Sequence, residues 1–465
     1  MLSLWIRRGA THCRRRIKLG GGDDPMAFFL IRGGRRLEGS LRVGGRKNSA
    51  VAVLPATLLS DGPIRVDNLP RIVDVGIMTQ LLTSAGAEVR MDGSGALWID
   101  ASHFEPRPVD SVWADRLRAS YYLLGVCLGR FGEADVPMPG GCDIGLRPID
   151  QHIKGLAAMG AEIEIAHGRV RAHAPRLHGA HIYLDVTSVG ATINLMLAAV
   201  RAEGTTIIEN AAKEPHVVDV ATLLLAMGAS IVGAGTDVIK VRGRDDLRGC
   251  QHTIIPDEIE AATYMIAAAG TGGDVTIENV IPRHLESVTA KLGEAGAEVS
   301  EAGESVRVRG PRRCRAVNVK TLPYPGFPTD AQQPMTALLA TALGTSTVTE
   351  TIWDGRFRFV DELLRMGARI RVAGRTAVIE GVRSLGGAPV RATELRGGAG
   401  LVLAGLFADG ETEVDAGDYI DRGYEAMETK LAVLGADITR IPVTEDLTHR
   451  LWPAADPAGS TADRM

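Results

Sequence analysis

The chain has 465 residues, 45% hydrophobic, 4% aromatic and 23% charged, with a formal net charge of −4. That length argues for roughly two or three domains around an aliphatic core, and the charge balance argues against a general nucleic-acid binder, which carries a basic excess. Cys13, Cys127, Cys142, Cys250 and Cys314 are few, far apart and without a CxxC pair, which excludes a disulfide framework or zinc site and suits thiols in a cytoplasmic protein.

In chain order, residues 1–25 are basic and lack the apolar core of a secretory signal, so they are expected to be a disordered extension or the product of an upstream start. No later apolar run reaches the about 18 residues of a membrane span. Met26 opens a strand pattern, "MAFFLIRGG". A phrase then recurs: "LLTSAGAEV", "GLAAMGAEI", "LLLAMGASI", "KLGEAGAEV", "ELLRMGARI" and "KLAVLGADI". Its glycines are Gly86, Gly160, Gly228, Gly296, Gly367 and Gly435. Each phrase predicts a helix stopped by a left-handed glycine and followed by a strand pair. A second phrase precedes each one, such as "DGPIRVDN" and "EGTTIIEN", and reads as a strand entered from a further helix. The unit is therefore mixed β and α, repeated six times, and six units divide into two groups of three. Residues 444–465 are expected to form a disordered tail.

Within this frame, "GGCDIGLRP" places Cys142 and Arg147 on a polar, glycine-rich loop, where nearby cations lower a thiol pKa. Asp330, before "AQQPMTALL", suits a helix N-cap. Amides around "SVGAT", before a helical run, can hold a diphosphate. There is neither a Walker-type loop nor a carboxylate metal cluster in the sequence.

The motifs "GGRKNSA", "RASYYLLG", "GGCDIGLRPIDQHIKG", "SVGATINLML", "ENAAKEP", "PGFPTDAQQP", "TETIWDGRF", "LRGGAGLVLAG" and "DRGYE" are specific as a set. From about residue 30 to 441 they make the chain resemble the UDP-N-acetylglucosamine 1-carboxyvinyltransferases, an enolpyruvyl transferase family. The resemblance implies an α/β fold, a two-domain inverse α/β barrel of six repeated units with the active site in the interdomain cleft. It places one domain at 47–254 and the other at 26–46 plus 255–443, with the two connections as a hinge. It also implies transfer of the enolpyruvyl group of phosphoenolpyruvate to the 3-hydroxyl of UDP-N-acetylglucosamine by addition and elimination, the first committed step of peptidoglycan synthesis. No cofactor, metal, nucleic acid or membrane takes part.

Residue by residue, the resemblance implies that Cys142 donates a proton and forms an adduct with phosphoenolpyruvate. Asp330 becomes the hydroxyl base, and Lys47, Arg147 and Arg422 grip phosphoenolpyruvate. Arg118, Arg356 and Arg396 are further site arginines, and Glu394 joins the catalytic set. Asn48, Arg118, Arg147, Pro148, Ile149, Asp150, Gln151, Ser188, Val189, Gly190 and Ile352 are expected to contact the nucleotide sugar. His152 reads as structural.

Several positions depart from the family's usual motifs. "GAKN" is "GRKN", with Arg46. "PDRIE" is "PDEIE", which reverses the charge at Glu258. "TDLR" is "TELR", with Glu394, and "ENRF" is "DGRF", with Asp354 and Gly355. Val186 stands where some members carry lysine, and Trp113 and Asp115 where small or basic residues are common. These changes leave open another uridine nucleotide acceptor, such as UMP in a specialised nucleoside-antibiotic pathway. An inactive paralogue that binds nucleotide sugar and regulates a partner is the third reading, against which the retained catalytic set argues.

Overall fold

The computed structural model describes residues 28–104, 108–109, 111–138, 149–416 and 419–441. Each repeat begins with a helix that is apolar on nearly every side. These are Lys47–Ala56, Tyr122–Phe131, Val189–Ala199, Glu258–Gly270, Gln332–Leu339 and Leu395–Phe407. Such all-round apolar helices have no solvent face and must lie innermost, and nearly all their side chains are buried. Small residues let them approach closely. A Cβ at Gly125 would lie 2.3 Å from the Asn194 backbone oxygen on the neighbouring helix.

The second helix of each unit is Val73–Ser84, Asp150–Ala158, Pro215–Ala226, Glu286–Glu294, Val360–Arg365 or Met427–Val433. The six repeat glycines follow these helices, all with φ between 87° and 103°. Only glycine enters that region freely, so the predicted helix stops are present. The strands alternate buried and exposed residues, as a sheet with one covered face requires.

Among the described residues there are six sheets of three or four strands and one two-stranded pair, and none closes on itself. The fold is inverse in that helices form the interior and separate open sheets cover them. Phe28–Arg32 lies antiparallel between Glu411–Asp415 and Asp437–Ile441. Glu38–Arg42 runs parallel to Asp274–Glu278, and Gln251–Thr253 runs parallel to Ile64–Asp67.

Two hydrophobic cores result. One gathers side chains from Ala50 to Ile254. The other gathers Phe29 to Val43 with Ala261 to Ile438. The chain leaves the second core and returns to it through two adjacent segments. Gly45 bridges Pro256, Arg46 N donates to Ile255 O at 2.7 Å, and Asp257 N donates to Gly44 O at 3.0 Å. Among the described residues no helix is long and apolar enough to cross a membrane.

Candidate active site

Lys47 opens its helix directly after this crossing, and its backbone N–H donates to Asp257 Oδ2 at 3.0 Å. Its Nζ lies 2.8 Å from Asp74 Oδ2, at the start of Val73–Ser84. Arg422, from the short helix Ile420–Arg422, places Nε 2.8 Å from the other Asp74 oxygen. Asp74 is 2% exposed. Burial alone would raise its pKa, but Lys47 and Arg422 outweigh burial and hold the carboxyl below its ordinary value. The expected grip residues Lys47 and Arg422 thus meet on a carboxylate that sequence reasoning missed. The available signal was one acidic residue in the otherwise apolar start of "VDVGIM".

A second cluster surrounds Asp330. Arg356 Nη2 lies 2.7 Å from Oδ1 and Arg396 Nη2 lies 3.3 Å from Oδ2. Both guanidinium groups are 3% exposed, whereas the Asp330 side chain is 25% exposed. Burial opposes ionisation of Asp330, but Arg356, Arg396 and Lys47 keep its pKa well below the carboxylate range. The N-cap expected of Asp330 is absent: its carboxylate points to arginines, and Ala331 precedes the helix Gln332–Leu339 with no side-chain cap. The Nε atoms of Arg356 and Arg396 are buried with no acceptor among the described residues. These are donors that an anionic substrate can satisfy.

Neighbouring side chains fix the arginines. Thr329 Oγ1 accepts from Arg356 Nη1 at 3.1 Å, and Glu350 Oε2 accepts from Thr329 Oγ1 at 2.8 Å. Glu350 also accepts from Ile352 N at 2.8 Å and Trp353 N at 3.1 Å, so it shapes the loop that carries Ile352. Sequence reasoning missed Glu350 as well. Arg396 lies over the Tyr424 ring, 5.1 Å from its centroid. Glu394, expected among the catalytic groups, caps Leu395–Phe407. It accepts from Arg396 N at 2.8 Å, from Gly397 N, and from Gln333 Nε2 at 3.2 Å. That placement makes it the residue that aims Arg396.

Among the residues expected from the resemblance to contact the nucleotide sugar, Arg118 stands over Tyr121, 5.7 Å from the ring centroid. Gly190 is needed for close packing, since a Cβ there would lie 2.6 Å from Tyr121 Oη and 3.1 Å from His152 Nε2. Ser188 caps the helix Val189–Ala199 by accepting from Ala191 N at 3.3 Å. Gln151 Nε2 donates to Asp150 and Asp185, and Asp185 N returns a bond to Gln151 Oε1 at 2.9 Å. Ile149 is buried, Asn48 and Val189 are half-buried, and Asp150 is exposed. His152 Nδ1 lies 3.0 Å from Asn194 Nδ2. The Asn194 oxygen accepts from Gly125 N, so its nitrogen donates, and His152 carries its proton on Nε2. Burial pushes its pKa down to about 3.

Cys142, Arg147 and Pro148 lie outside the described residues. The departure at 354–355 is a turn: Gly355 has φ +70° and Asp354 pairs with Arg375 at 2.6 Å. Asparagine, usual there in the family, also tolerates that region. Among the described residues no group of three or more His, Cys, Asp or Glu side chains is placed to hold a metal.

Residues 31–431 match the family model "EPSP synthase (3-phosphoshikimate 1-carboxyvinyltransferase)". A UDP-N-acetylglucosamine 1-carboxyvinyltransferase 3 of Caldanaerobacter subterraneus subsp. tengcongensis is 59% identical over 416 residues, covering 90% of this chain and 100% of the relative. Its counterpart in Symbiobacterium thermophilum is 58% identical, covering 89% of this chain and 98% of the relative. Among solved structures, the enolpyruvyl transferase NikO from Streptomyces tendae aligns with TM-score 0.82 at 28% identity, covering 90% of this chain and all of that one. EPSP synthase from Acinetobacter baumannii, at 20% identity and TM-score 0.70, covers 90% of this chain and all of that one and shares the fold. The chain belongs to the UDP-N-acetylglucosamine 1-carboxyvinyltransferases, within the wider EPSP synthase family of enolpyruvyl transferases.

Proposed function

We propose that this protein transfers the enolpyruvyl group of phosphoenolpyruvate to the 3-hydroxyl of UDP-N-acetylglucosamine and releases inorganic phosphate, in the cytoplasm, as the first committed step of peptidoglycan synthesis. The observation that carries this reading is the ionised Asp330 between two buried arginines with free Nε donors. The identity of 59% to a relative named for this acceptor supports it.

Phosphoenolpyruvate brings a carboxylate and a phosphate into a cleft that already holds Lys47, Arg422, Arg356 and Arg396. Asp74 and Asp330 pair with these cations and fix where they sit. In the addition step Asp330 accepts the hydroxyl proton, the sugar oxygen bonds to C2 of phosphoenolpyruvate, and C3 gains a proton to become methyl. Cys142, by the family resemblance, supplies that proton. In the elimination step C3 loses a proton and the C2–O bond to phosphate breaks, which restores the double bond in the enol ether. Fixed cations around the leaving phosphate stabilise its developing charge without reorganisation.

Phosphate release tests the reading. The protein is incubated with phosphoenolpyruvate and either UDP-N-acetylglucosamine or UMP. Release only with the sugar nucleotide is expected. Release only with UMP favours the second acceptor, and binding without release favours the regulatory paralogue.

A further inference from the structure

The crossing between the two halves carries an unusual concentration of buried charge. Arg46 lies on the outgoing segment, directly before the helix Lys47–Ala56, and Glu258 is the first residue of Glu258–Gly270 after the return. They are 5% and 8% exposed and form an ion pair. Arg46 Nε and Glu258 Oε2 are buried without a hydrogen-bond partner among the described residues. Arg46 is also within electrostatic reach of Asp257 and Asp330 on the return side and of Glu214 on the other. Burial lowers its pKa to about 10, so it is still a cation at neutral pH.

Glu214 precedes the helix Pro215–Ala226 and reaches across the gap, where Oε1 accepts from Tyr324 N at 3.4 Å. Its Oε2 is buried and has no hydrogen-bond partner among the described residues. The nearby histidines supply no compensating charge. Burial, and then Arg46 itself, hold His216 and His284 below their ordinary values. Positions 46 and 258 both depart from the family's usual motifs, and the ion pair makes the two departures one exchange of charge between the segments.

We infer that Arg46 is a positioning residue for the reaction: a buried cation at the hinge, ion-paired with Glu258 and set among Glu214 of one half and Asp257 and Asp330 of the other. Glu258 fixes where that cation sits. Without Arg46, Glu258 loses its ion-pair partner, and Glu214 and Asp257 lose a nearby cation, while Arg356 and Arg396 still offset Asp330; the uncompensated carboxylates then oppose closure of the cleft. The inference rests on the enolpyruvyl transfer proposed above.

The test compares wild type, R46Q, E258Q and the charge-swapped R46A/E258R. One readout is phosphate release with phosphoenolpyruvate and UDP-N-acetylglucosamine, resolved into kcat and KM. The other is hydrogen exchange at the Tyr324 amide without ligand. R46Q is expected to lose about tenfold or more in kcat, to raise KM for the nucleotide sugar, and to speed Tyr324 exchange. E258Q keeps the cation: removing its buried partner is expected to lower stability, while kcat stays within about threefold of wild type. The swapped variant is expected to recover most of what R46Q loses.

If the pair is only a structural clip, E258Q is as damaging as R46Q, and that result overturns the inference. A folded R46Q with wild-type kinetics and exchange overturns it too, as does a swapped variant no better than R46Q. Should R46Q not fold, the swapped variant decides: near-wild-type kinetics support the inference, and a folded but impaired protein overturns it. A wild type that releases no phosphate overturns the proposed function instead. Tyr324 exchange needs no substrate and still decides the role of Arg46.

Discussion

Arg422 and Asp74 are separated by 348 positions in the chain, yet Nε and Oδ1 lie 2.8 Å apart. The contact joins the second core to the first, and Lys47 completes it from the crossing. Removing the buried carboxylate leaves two half-buried cations facing each other. D74A is therefore expected to destabilise the protein by about 3–5 kcal/mol and to raise KM for phosphoenolpyruvate. Urea unfolding of D74A beside wild type, with m-values compared, checks this. Coincident curves would show that the contact contributes nothing.

Asp330 is expected to be ionised throughout the assay range, because Arg356 and Arg396 hold its pKa down. D330N should lose about 10²–10⁴ in kcat while still binding the nucleotide sugar. The sign for pH follows from the lowered value: an acid limb near pH 5–6 in the wild-type profile belongs to another group. A D330N enzyme with wild-type turnover would remove Asp330 as the base.

Cys142 supplies a chemical test. C142S is expected to reduce phosphate release or stall product release. Fosfomycin, a phosphoenolpyruvate mimic that alkylates the corresponding cysteine in this family, should inactivate wild type and leave C142S unmodified by mass spectrometry. Full turnover by C142S would sink the proposed proton donor.

His152 sets a pH dependence of stability. Its pKa is about 3 in the folded protein and about 6.5 in an unfolded chain. As pH falls, the unfolded state takes the proton first. The stabilisation is complete above pH 6.5 and is lost between there and about pH 3, at about 1.4 kcal/mol per pH unit. Urea unfolding between pH 7.5 and 5 should show a shallower pH slope for H152Q than for wild type. Equal slopes would mean that the imidazole does not titrate on unfolding.

The repeat was legible in the sequence because each helix must end, and glycine ends it at Gly86, Gly160 and their counterparts. The helix before each strand phrase was legible from its glycine end, whereas its place in the interior, which follows from the missing polar face, was not read. Asp330, Arg356 and Arg396 could be named from motifs, but their mutual contacts could not. Asp74 and Glu350 escaped because their role depends on partners brought together by folding, and an isolated acidic residue carries no periodic signal. Glu394 was read as chemistry, whereas its position before "LRGGAG" also signalled a cap, which is the bond pattern observed. Arg46 and Glu258 looked like unrelated departures until the crossing segments brought them into contact.

The pairing of Phe28–Arg32 with Glu411–Asp415 and Asp437–Ile441 bears on how the molecule is made. A ribosome delivers that first strand early and its partners last. The first core draws on one continuous stretch and can assemble while synthesis proceeds. Until translation nears its end, the first strand is an unpaired edge, open to wrong partners. A chain cut short before Asp437 would keep Glu411–Asp415 beside Phe28–Arg32 but leave the other edge of that strand unpaired.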